Sequence, residues 1–211
     1  MDELEARFES LPIYIISASK KPALVNQYQG YAGGGGYAVE LGSGPVLRPF
    51  GTEEDPNLWI MGWLDVVYEG TAKREYVHEI LNELVRPESI VALAPSMGRS
   101  LQWVLEDTFA ALISVLKHEA FEAGQEVRYV FTYRGRPKFR PEPRGIVPFI
   151  KVGNHQGALK SEQPDGRLPI TGVFVGPPAS TAERRMRSVD LLLSKDYPGV
   201  RSTDSRLPYV P

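Results

Sequence analysis

Apolar positions fall on two different periods along this chain. Val77, Ile80, Leu81, Leu84 and Val85 recur at i, i+3, i+4, i+7 and i+8, which draws one stripe along an α-helix. Pro87 then closes that helix. A longer stripe of the same kind runs through Leu101, Val104, Leu105, Thr108, Phe109, Leu112, Ile113 and Leu116. It is expected to be the spine of the core, with Leu105, Phe109, Leu112 and Leu116 buried against a sheet. Elsewhere the period shortens to two. In residues 127–133, Val127, Tyr129, Phe131 and Tyr133 share one face, with Arg128, Val130 and Thr132 on the other, as a strand requires. Ile13–Ser19, Tyr37–Leu41, residues 146–152 and Ile170–Val175 are further strands by their β-branched and aromatic content. Residues 58–68 form a strand pair or one bent strand, with Gly62 at the irregularity.

The connections follow from punctuation. Residues 2–10 suit a short helix, and a second begins near Pro22 and runs through Leu24, Val25 and Tyr28. Gly33 to Gly36 is a turn, 42–57 a long Gly- and Pro-bearing loop, and 154–166 a polar loop. Ser180-Thr181-Ala182-Glu183 has the capping-box pattern, so Ser180 is expected to cap a helix starting near Thr181. Helices and strands in this order predict an α+β fold, a twisted mixed or mainly antiparallel sheet packed against two or three helices.

Composition narrows the classes. A length of 211 residues suits a single domain, 1–211, able to bury a core without staples. The absence of cysteine excludes disulfides and thiolate chemistry. A formal net charge of −2 gives no global pull toward nucleic acid or anionic membrane. No apolar run reaches the roughly 18 to 20 residues of a spanning helix, and the acidic start MDELEARFESL is no secretory signal. A cytoplasmic protein without a membrane partner is expected. Composition leaves the oligomeric state open.

Three segments carry a family resemblance. YIISASKKPALVNQYQGYAGGGGYAVEL (14–41) places a serine near a strand end, then a helix, a glycine turn and a strand. LKHEAFEAGQEVRYVF (116–131) offers a phenylalanine, then Gln125-Glu126-Val127-Arg128. The last runs from Gly176-Pro177-Pro178 through a helix to Ser205, Pro208 and Tyr209. Together they resemble the uncharacterised bacterial and phage family catalogued as domain of unknown function 2971. In that comparison Tyr28 stands where the family helix usually has tryptophan. Gly124 takes the place of the first of two paired glutamates. The family's usual additional N-terminal strand and helix have no counterpart ahead of Ile13.

The resemblance directs attention to Glu126. Two residues apart on a strand, Glu126 and Arg128 project on one face. A glutamate at a sheet cleft polarises a ribose hydroxyl in ADP-ribosyl transfer from NAD, and Ser17, Ser19 and Tyr31 are candidates for the accompanying platform. Arg128, Tyr37, Arg136 and Arg140 are the candidate nucleotide-binding residues. An effector of bacterial conflict systems, with NAD as substrate and a nucleotide or protein as partner, is the expectation. The plainer reading makes Glu126 and Arg128 an ion pair and the chain a non-catalytic interaction or sensing module. A third reading takes the run Arg128, Arg134, Arg136, Lys138, Arg140 and Arg144, interleaved with Tyr129, Phe131, Tyr133 and Phe139, as a nucleic-acid surface. His78, His118 and His155 have no metal-ligand spacing, so no metal is expected. The glycine run lacks the Gly-Lys-Ser/Thr of a phosphate loop.

Overall fold

The computed structural model describes residues 12–22, 24–32, 36–44, 46–50, 55, 57–96, 98–143, 145–155 and 167–207. Residues 2–10, most of the glycine run, most of the 154–166 loop, and Pro208 and Tyr209 lie outside them. The elements in chain order are β1 (Ile13–Ser19), α1 (Val25–Ala32), β2 (Tyr37–Leu41), β3 (Val46–Pro49), β4 (Leu58–Asp65), α2 (Gly70–Leu84), α3 (Ile90–Leu93), α4 (Leu101–Val115), β5 (Glu126–Tyr133), β6 (Lys138–Glu142), β7 (Gly145–Phe149), β8 (Val152–His155), β9 (Ile170–Val175), α5 (Ala182–Leu193) and β10 (Ser202–Asp204). The fold is α+β, with small antiparallel and mixed sheets. The chain forms two compact units. One holds Met1–Ala18 and Pro49–Lys151, the other Ser19–Arg48 and Val152–Pro211.

The first unit is built on the sheet β1-β5-β4. β4 and β5 pair antiparallel, and the register slips between Ile60 and Gly62. Gly62 has φ +82°, a conformation that costs glycine little, so the bent strand takes its irregularity there. β1 runs opposite to β5. The Tyr133 N–H donates to the Pro12 carbonyl at 3.0 Å, and Tyr14 stacks on Phe131 at 5.6 Å. As the central strand, β5 is covered on both sides, and Tyr129, Val130, Phe131 and Thr132 are all buried. Its alternation therefore separates two buried faces rather than an inside from an outside.

Helix α4 packs on β5 and β4, but not through the expected stripe. Leu105 is 44% exposed, and Phe109, Leu112 and Leu116 are half-buried. The buried face carries Val104, Asp107, Ala110, Ser114 and Val115. The reason is polar. Asp107, only 1% exposed, accepts from Thr132 Oγ1 at 2.6 Å and Arg134 at 2.8 Å through Oδ1, and from Arg99 at 2.5 Å through Oδ2. Arg99 lies 4.3 Å over the Trp59 ring and Arg134 lies 5.0 Å over Trp103. A buried carboxylate with three donors turns the helix so that Asp107 faces the sheet, which exposes Leu105 instead.

The second unit holds the mixed sheet β10-β9-β2, with β10 parallel and β2 antiparallel to β9. β3 pairs with β8. This corrects the long-loop expectation for 42–57, because a four-residue strand between Pro45 and Phe50 is too short to show a period. Tyr28 is the buried anchor of α1. Its hydroxyl points at the Phe174 carbonyl at 3.5 Å, and burial pushes the phenol up. The capping box does not form. Residues Ala179–Thr181 make a 3-10 turn, α5 starts at Ala182, and the Thr181 hydroxyl donates to the Pro178 carbonyl at 3.3 Å. Thr181 occupies the cap position without a capping bond, and Ser180 is exposed in the turn before it. Entry from Pro177-Pro178 tightens the first turn and uses the hydroxyl up locally.

Asp190 of α5 fastens β10, accepting from the Ser202 N–H at 2.7 Å and the Ser202 hydroxyl at 2.8 Å. The Ser202 N–H holds the Asp190 carboxyl below the usual carboxylate range, helped by the Ser202 hydroxyl and Arg201. A carboxyl lowered on folding stabilises above its unfolded pKa of about 3.9 and loses that contribution as pH falls below it. The protection factor of the Ser202 amide, its intrinsic exchange rate over the observed rate at the same pH, should therefore fall below about pH 4, and Asp190→Asn should remove that fall. An amide equally protected at pH 3 and pH 6 would contradict this anchor.

Candidate functional site

Glu126 opens β5 after a 3-10 turn over Glu119–Gly124. Gln125, at φ 40° and ψ 56°, turns the chain into the strand. Backbone and side chain are both committed. The Glu126 N–H donates to Tyr68 Oη at 2.8 Å, and its carbonyl accepts from the Val66 N–H at 3.2 Å. Oε1 accepts from Lys117 Nζ, and Oε2 from Arg128 at 3.3 Å. The second Arg128 nitrogen donates to the Ser114 carbonyl at the end of α4. Lys117 sits 4.6 Å over the Phe121 ring and its N–H donates to the Val67 carbonyl at 3.1 Å. The Glu126 side chain is 13% exposed. One carboxylate thus lies between two cations, tying the C-terminal end of α4 to the start of β5 and to the chain after β4.

Among the candidate residues, Glu126 and Arg128 meet directly. Ser17 is exposed on β1, toward the Glu126 end of the neighbouring β5. Ser19, Tyr31 and Tyr37 belong to the second unit. There Ser19 Oγ accepts from the Lys21 N–H at 3.0 Å. Tyr31 is 88% exposed near the end of α1. Tyr37 lies 4.7 Å under the Arg185 guanidinium. Arg136 is exposed between β5 and β6. Arg140 is exposed on β6, bridged to Glu142 at 2.9 Å and 5.6 Å from the Phe149 ring. Arg144 lies outside the described residues.

The basic run therefore divides. Arg128 is spent on Glu126 and the Ser114 carbonyl. Arg134 is spent on Asp107 and Glu106, at 2.8 and 3.0 Å. Arg136, Lys138 and Arg140 stand at the surface of the β6–β7 hairpin. His118 is structural, its Nδ1 accepting from the Ala120 N–H at 3.1 Å ahead of the 3-10 turn. Among the described residues, no three His, Asp or Glu side chains gather as a metal site would require, and no helix is long and apolar enough to cross a membrane.

Sequence reasoning missed three organising side chains. Lys117 sits just past the long stripe, where it passes for a solvated helix end. Asp107 reads as a polar break inside an apolar helix, and that break was the available signal. Arg185 donates to the carbonyls of Gly36 at 2.6 Å, Gly176 at 2.7 Å and Pro177 at 3.1 Å. Its only sequence mark is its place in the first turn after Gly-Pro-Pro.

No family model, curated protein or solved structure matches the chain. The family resemblance rests on the three segments quoted above.

Proposed function

We propose that this chain is a non-catalytic binding module, and that Glu126 holds its first unit together rather than performing ADP-ribosyl transfer. One observation carries the reading. Both Glu126 oxygens are engaged within the unit, by Lys117 and by Arg128. A transferase glutamate must offer an oxygen to a ribose hydroxyl and place its charge against the developing oxocarbenium. A carboxylate flanked by two cations presents a positive surrounding to that cation. The exposed surface of the β6–β7 hairpin offers the binding element instead.

The test is nicotinamide release from NAD. Purified protein should release none above buffer, and Glu126→Gln should behave the same while melting at a lower temperature. Sustained release by the native chain, lost in Glu126→Gln at unchanged melting temperature, would restore the transferase reading.

A further inference from the structure

The β6–β7 hairpin is a two-stranded ribbon, paired Lys138↔Phe149, Phe139↔Pro148, Arg140↔Val147, Pro141↔Ile146 and Glu142↔Gly145. Directly opposed residues share a face. One face therefore carries Lys138, Arg140 and Glu142 with Val147 and Phe149. The other carries Phe139, Pro141, Ile146 and Pro148. Every residue of β6 is exposed, Phe139 at 64%. Residues 136–151 hold five basic residues and one acidic, in a chain whose formal net charge is −2. The charge is concentrated here and opposed elsewhere.

Lys138 and Arg140 alternate along β6, and Arg136 precedes them by the same two-residue spacing in the segment that leads into the strand. Alternate residues of an extended chain lie about 6.6 Å apart, a repeat comparable to that of successive phosphates on an extended nucleic-acid strand. Phe139 stands between two of these cations in sequence and belongs to the opposite face of the ribbon. Among the described residues β6 pairs only with β7, so its other edge meets no described strand. Pro141 has no N–H to offer along β6 and Pro148 none along β7, which discourages the addition of a further peptide strand. A single strand lying along the β6 edge meets cations on one side and an exposed aromatic ring on the other, so that guanidinium and ammonium groups follow its backbone and a base turns onto the ring. The Arg140–Glu142 bridge is exposed, and pairs of that kind contribute little, so a phosphate displaces it at small cost.

We infer that the β6 edge of this hairpin binds single-stranded nucleic acid, through Arg136, Lys138 and Arg140 to the phosphates and Phe139 to a base. This rests on the binding-module reading and deepens it. The experiment is fluorescence anisotropy of a labelled oligothymidylate of about 20 nucleotides, titrated with the full chain at several salt concentrations. Native protein should bind with an affinity that falls as salt rises. Phe139→Ala should weaken binding about 5- to 100-fold. Arg136→Gln and Lys138→Gln should each lower the salt slope by about 0.7. All three residues are exposed, so each variant should keep the native melting temperature. Duplex of the same length should bind more weakly than the single strand. Absence of salt-dependent binding, native affinity in Phe139→Ala, or polyglutamate bound as well as the oligonucleotide would each overturn the inference. These results leave the nicotinamide assay untouched, so failure of the partner assignment is distinguishable from failure of the binding-module reading.

Discussion

Asp107→Ala should destabilise the first unit by about 3 to 5 kcal/mol, the cost of leaving buried charges without their partner. Asp107 is the buried point where α4, the chain before it and the end of β5 meet. Its removal strands the Arg99 guanidinium, leaves Arg134 with Glu106 alone, their side chains being 10% and 12% exposed, and leaves the fully buried Thr132 hydroxyl without its acceptor. Stacking on Trp59 and Trp103 compensates little, because cation–π contacts contribute about 0.5 to 2 kcal/mol. Asp107→Asn keeps the shape and one acceptor but faces an amide N–H₂ toward arginine, so it should fall between native and Ala. All three tryptophans, Trp59, Trp63 and Trp103, lie in the first unit. Tryptophan emission during urea unfolding therefore reports on that unit alone, and the midpoint should drop with little change in slope. A loss under about 1 kcal/mol, the scale of a surface ion pair, would mean the cluster is solvated and not a tie between helix and sheet.

This cluster also marks where the sequence stopped being readable. The two helices of apolar period, the bent strand at Gly62 and the strand Ile170–Val175 were legible because each is set by a local period or a glycine. Which face of α4 turns inward was not. A binary pattern scores Asp107 as outward and Leu105 as inward, while three donors brought from Arg99, Thr132 and Arg134 reverse both. The pairing of β3 with β8 was hidden for a related reason, since a four-residue strand is defined by a partner about a hundred residues away. In the candidate site, Glu126 beside Arg128 was legible from a two-residue spacing. The engagement of Glu126 by Lys117 was not, because it depends on how α4 ends against β5. The arginine run looked uniform in sequence, and only the placement of Asp107 and Glu126 separates the arginines consumed inside the unit from those at the hairpin surface.

Glu126→Ala should cost about 2 to 3 kcal/mol, in line with the loss of hydrogen bonds to charged partners. Lys117 and Arg128 would remain largely buried beside each other without the intervening carboxylate. Like-charge repulsion then adds to the lost bonds, and the tie between the end of α4 and β5 loosens. Arg128 keeps the Ser114 carbonyl, whereas Asp107→Ala takes the carboxylate from both Arg99 and the buried Thr132 hydroxyl, which places the expected cost of Glu126→Ala below that of Asp107→Ala. The most direct measurement is a double-mutant cycle between Glu126→Gln and Lys117→Met, read by tryptophan emission during urea unfolding. A structural Glu126 predicts a coupling of about 1 kcal/mol or more, within the range found for contacting residues. A coupling indistinguishable from zero, with Glu126→Gln as stable as the native chain, would contradict the account and leave the Glu126 carboxylate free for the transferase role.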